Sequence, residues 1–158
     1  MMAKGLPVAI QLHIDDGGAS LLGGYLRFLG AQDVSALISL LSGKSFWESD
    51  IPFATTAFGD IFAWNSDGFI QLYHMVDGTS SIIMAGDEFF FRDIEDSSFQ
   101  KEHFEMELFG KAREALGEIS ENQCYAFEPL PILGGSKDLK SLKIESFIPY
   151  ISLIVSLL

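Results

Sequence analysis

The sequence predicts an α+β fold, a central, mostly antiparallel sheet packed with helices at about 33–42, 98–119 and 146–157. Three observations predict it. Phe53 to Ala85 consists of apolar, β-rich runs separated by turn residues, the pattern of an antiparallel meander. Val34, Leu37, Ile38 and Leu41 recur at i, i+3, i+4 and i+7, one face of a helix. From Gly86 onward the apolar spacing becomes helical. A chain of 158 residues, 48% hydrophobic and without linker, repeat or low-complexity tract, reads as one domain spanning 1–158.

The elements follow in order. Pro7 to Ile14 is read as a first strand, turned by Asp15-Asp16-Gly17-Gly18, and Gly24 to Gly30 as a short strand or lead-in. Asp33 is placed to cap the helix that ends near Gly43. In the meander, Asn65-Ser66-Asp67-Gly68 supplies one turn, and Asp77-Gly78 predicts a two-residue hairpin. Phe69 to Val76 is apolar on both parities, so that strand belongs in the covered interior of the sheet. Asp87 to Arg92 predicts a short helical turn, and Ser97-Ser98-Phe99-Gln100 has the form of a capping box. The next helix should bury Phe104, Leu108, Ala112, Ala115 and Ile119. Gln123 to Phe127 is a candidate strand, followed by a Pro/Gly loop, a segment at Leu142 to Ile144 and an apolar C-terminal helix. That last run is 12 residues, against about 20 needed to span a bilayer, so no membrane association is expected.

Charge narrows the function classes. The formal charge is −12, and residues 87–121 hold 11 acids and 4 bases while 122–158 are balanced. An acidic surface repels phosphate backbones and anionic lipid, so nucleic acid is not an expected partner; basic proteins are. A single cysteine and an N-terminus without a long apolar run point to a cytoplasmic protein.

No constellation carries chemistry. Ser42-Gly43-Lys44-Ser45 resembles the end of a phosphate-binding loop, but the glycine required five residues before Gly43 is Ile38. His103 and Glu107 lie four apart on a helix, yet two ligands make no metal site. His74 reads as a satisfied, half-buried histidine and Cys124 as a buried hydrophobe. In Phe89-Phe90-Phe91, core burial with one ring near the surface is expected. No catalytic residue, metal or cofactor is expected.

Several segments together resemble the C-terminal domain of type VI secretion immunity proteins of the Tdi type, related to GAD-like and Smi/Knr-like modules. The residues that carry the resemblance are Gly59-Asp60-Ile61-Phe62-Ala63-Trp64, the Gly68 to Met75 strand with its return, and Tyr125 to Gly135. The Leu139 to Ile144 segment and the terminal apolar helix extend it, so that it covers roughly Gly24 to Leu158 and leaves 1–23 outside. The resemblance implies a non-catalytic protein that binds and neutralises a cognate toxin, a DNase in the Tdi type, encoded next to it. Gly59-Asp60 and Gly134-Gly135 are read as fold determinants. On charge, the expected toxin contacts are Asp87, Glu88, Asp93, Glu95 and Asp96, together with Glu102, Glu105 and Glu107. Alternatives are a regulatory interaction module of the Smi/Knr kind and a metal-dependent hydrolase built on His103 and the carboxylates.

Overall fold

A computed structural model describes residues 5–47 and 51–158. In chain order it runs α1 (Val8–Asp15), β1 (Ser20–Leu21), β2 (Leu26–Phe28), α2 (Ala31–Leu41), β3 (Ile51–Thr56), β4 (Ile61–Trp64), β5 (Phe69–His74) and β6 (Thr79–Ala85). Then come α3 (Phe90–Asp93), α4 (Ser97–His103), α5 (Met106–Leu116), β7 (Gln123–Phe127), β8 (Leu142–Ser146) and α6 (Phe147–Leu157). The α+β class is as the sequence predicts. β1 to β6 form one antiparallel sheet in sequential order, and β7 pairs with β8 in a second, two-stranded sheet.

Burial explains the meander. β4 is buried along its whole length and β5 everywhere but its ends, as expected of an interior strand apolar on both parities. On one face Phe28, Phe53 and Phe62 form an aromatic layer met by Phe90 of α3, which lies edge-on to all three rings. His13 of α1 stacks on Phe28 with centroids 4.4 Å apart. Elsewhere in the core α2 packs on β3 and on α6. Within Phe89-Phe90-Phe91 the middle ring is fully buried and Phe89 is exposed, with the Arg92 guanidinium 4.1 Å above its ring. Cys124 is buried in β7, and α6 buries Phe147, Tyr150, Ile151, Ile154 and Val155. No helix among the described residues is long and apolar enough to cross a membrane.

Several local expectations are corrected. Pro7 to Ile14 is not a strand: Pro7 stands at the helix N-cap, and Ile10 and Ile14, one turn apart, enter the core while Val8 and Leu12 stay exposed. The N-cap of α2 is Gly30, which leaves Asp33 in the first turn rather than at the cap. Asp77-Gly78 is the end of a four-residue connection, because His74 pairs with Thr79 and Met75 to Asp77 form a 3-10 turn whose Met75 and Val76 are buried. The helix expected at 98–119 is two. It breaks at Phe104–Glu105, where the Phe104 ring packs against Tyr25, Phe62 and Phe99 and the Glu105 amide donates to the Tyr25 hydroxyl at 2.9 Å. Of the expected stripe Phe104 and Ala112 are buried, but Phe109 rather than Leu108 leads the core face of α5, and Ala115 is exposed. Asp96, not Ser97, caps α4, its carboxylate accepting from the Phe99 amide at 3.0 Å.

In each of the two segments named as fold determinants one glycine has a structural reason. Gly59 has φ of 86°, and a Cβ there would meet the Tyr150 ring at 3.4 Å. A Cβ on Gly135 would lie 1.9 Å from the Pro129 carbonyl oxygen, an overlap that only backbone movement could relieve.

Candidate functional site

The turn between β3 and β4 places a carboxylate deep in the protein. Thr56 Oγ1 accepts from the Phe58 amide at 3.3 Å and from the Asp60 amide at 3.2 Å, which closes the turn. Asp60 emerges from it 6% exposed, with Oδ2 3.3 Å from Nδ1 of His74 at the end of β5. Nearby, Lys137 Nζ donates to Asp77 Oδ2 at 3.0 Å and ties the Pro/Gly loop to the β5–β6 connection. These groups line a hollow of about 210 Å³ whose walls include Asp60, His74, Asp77, Glu102, Glu105 and Lys137.

Of the eight acids expected to meet a partner, Glu102 and Glu105 therefore share one hollow, joined there by Asp60 and Asp77. Asp87, Glu88, Asp93, Glu95 and Asp96 lie on the connection from β6 to α4, and Glu107 stands in the first turn of α5. Six of the eight are exposed; Asp87 and Asp93 are half-buried. Some are already engaged within the fold. Asp93 pairs with Arg92 at 3.0 Å, Glu107 with Lys111 at 3.4 Å, and Asp96 is a helix cap. Asp87, Glu88, Glu95 and Glu105 have no cationic partner within ion-pair distance among the described residues.

Sequence reading missed Asp60 as part of this surface and treated it as a turn residue, because only the tertiary fold brings β5 and α4 to it. The expectation for His74 holds: it is half-buried and bonded. That hydrogen bond to Asp60 raises the His74 pKa above 6.5 against the opposing effect of burial, with Asp77 adding to the rise and Lys137 opposing it. A raised folded-state value stabilises the protein below about pH 6.5, and that contribution is lost as pH climbs through the folded value. Unfolding midpoints of His74→Gln should accordingly fall furthest below wild type near pH 6 and converge with it near pH 9, both values approximate. A gap that widens toward high pH would contradict the assignment.

A second hollow, about 640 Å³, lies beside Asp15, Gly18, Arg27, Asp33 and Glu121, away from the expected contact acids. Arg27 is 7% exposed, and its guanidinium donates to the carbonyls of Ser120 and Gln123. Cys124 is fully buried, and burial pushes its thiol up to about 12, which disfavours the thiolate a nucleophile requires. Among the described residues no group of three or more His, Cys, Asp or Glu side chains is placed to hold a metal ion.

Residues 85–158 match the family described as T6SS immunity protein Tdi1, C-terminal. The match supports a type VI secretion immunity family. The matched segment holds α3 to α6, the second sheet and all eight acids expected to contact a partner. The Gly59-Asp60 block, which also carried the resemblance, precedes it. Among solved structures the chain is similar to one described as the crystal structure of Atu4351 from Agrobacterium tumefaciens, with a TM-score of 0.71 and 18% identity. The likeness covers 93% of this chain and 73% of that one, and at this identity it speaks to the fold alone. No curated protein matches.

Proposed function

We propose that the chain is a non-catalytic immunity protein that binds and neutralises a cognate secreted toxin in the cytoplasm, and that the toxin is a cationic nuclease. The observation that carries the reading is a coincidence of position. The segment that matches the immunity family contains the whole of 87–121, where 11 acids stand against 4 bases. Nucleases hold DNA with cationic surfaces, so an inhibitor of this charge gains attraction at a distance and complementarity at contact. The hydrogen-bonded Asp60–His74 pair and the buried Cys124 suit a binding protein better than a hydrolase.

The test is rescue. Expression of the protein encoded by the neighbouring upstream gene should be toxic to bacterial cells and degrade their DNA, and co-expression of this chain should restore growth. Purified chain should suppress DNA cleavage by that protein at a one-to-one ratio. Rescue without any DNA cleavage to suppress would keep the immunity reading and remove the nuclease. Failure to rescue would remove both.

A further inference from the structure

β6 ends the six-stranded sheet, and among the described residues its outer edge is bare: β5 is the one strand paired with it there, and no other backbone hydrogen bond reaches 79–85. The opposite edge, β1, is two residues long, whereas β6 has seven. Natural sheets protect exposed edges with short strands, lysines, prolines or bulges. Thr79-Ser80-Ser81-Ile82-Ile83-Met84-Ala85 contains no charge and no proline, and Ile82 is 57% exposed. A register shift opposite Ile70 and Gln71 interrupts its far half, but Thr79 to Ile82 pair in unbroken register with His74 to Gln71. Such an edge offers main-chain donors and acceptors to an added strand.

Charge selects the occupant. Asp87 and Glu88 follow the strand without an ion-pair partner among the described residues, while Asp77 at its other end is already bonded to Lys137. A second copy of this chain fits poorly: antiparallel self-pairing would set Asp87 and Glu88 of one copy against the Asp77–Lys137 pair of the other, whose cation is already engaged, and parallel pairing would stack like acids on each other. We propose that β6 accepts an extended segment of the toxin as a seventh strand, with basic residues of that segment lying past Ala85 against Asp87 and Glu88. This inference rests on the immunity reading and adds to it the place and mode of contact.

Amide hydrogen exchange tests it on the whole chain, with a catalytically inactive form of the upstream-encoded protein as the probe. The amides of 79–85 should slow by about tenfold or more on complex formation. Ile82→Lys, at an exposed position, should leave the melting temperature within a few degrees and weaken the complex by about tenfold or more, because it sets a cation on the edge. A stable complex with unchanged exchange in β6, or full affinity for Ile82→Lys, overturns this proposal and leaves the immunity reading standing. Protection of β6 by self-association without the probe also overturns it, in favour of a second copy. No complex at all overturns both.

Discussion

Arg27→Ala is expected to lower stability by about 3 kcal/mol. Arg27 sits in β2, 7% exposed, and donates through Nη1 to the Ser120 carbonyl and through Nη2 to the Gln123 carbonyl. Gln123 opens β7, so one side chain fastens the six-stranded sheet to the second sheet. Alanine would remove both bonds, leaving the Ser120 carbonyl with the Gln123 amide at 3.0 Å as its remaining donor, and would open a cavity the size of the side chain. Burial, which pushes the guanidinium pKa down, measures an opposing cost: no carboxylate lies within ion-pair distance among the described residues, and Nε has no hydrogen-bond acceptor. Arg27→Met separates the two contributions, since it keeps most of the volume and loses the hydrogen bonds. If bonding outweighs desolvation, methionine should cost about 1–2 kcal/mol in urea unfolding with an unchanged slope. A neutral or stabilising methionine would mean that desolvation wins, as it does at some buried ion pairs.

What the sequence made legible was decided by how local each determinant is. The meander reads off easily because Asn65 closes its own turn, its Oδ1 accepting from the amides of Asp67 and Phe69 at 3.0 Å each. α2 shows its helical period in sequence, but of the expected face Val34, Leu37, Ile38 and Leu41 only Leu37 and Leu41 are buried, and Ile38 is 41% exposed. The break between α4 and α5 does not read off, because its cause is Tyr25, which binds the Glu105 amide from 80 positions away. α1 was mistaken for a strand for a related reason. Its Ile10 and Ile14 are buried, but Val8 and Leu12 are equally apolar and exposed, so the eight residues show no contrast between faces. The candidate surface divides in the same way. Exposure of the acids follows from composition, whereas the hollow that gathers Glu102, Glu105, Asp60 and Asp77 depends on β4, the β5–β6 connection and α4 meeting in space.

Neutralising Asp87→Asn, Glu88→Gln, Glu95→Gln and Glu105→Gln together is expected to slow association with the toxin by about ten- to a hundredfold at low salt. These four acids are chosen because none is held in an ion pair among the described residues, so the fold should not register their loss; Asp93, Asp96 and Glu107 have internal duties that would confuse the result. Steering acts on encounter, so the change should fall mainly on the on-rate, and wild type and variant should converge as salt rises through the range where the screening length drops below about 8 Å. The dissociation rate should move less, since exposed charges contribute little once the complex is packed. Net charge alone is the competing explanation. A control that neutralises Asp16, Asp67, Glu114 and Glu118 changes the total by the same amount, with exposed acids outside the β6–α4 connection and the hollow. Equal slowing in both variants would mean that the toxin senses only the overall field. A loss confined to the first set would place the encounter surface on the acids that follow β6, where an edge strand left unpaired by the fold is waiting beside them.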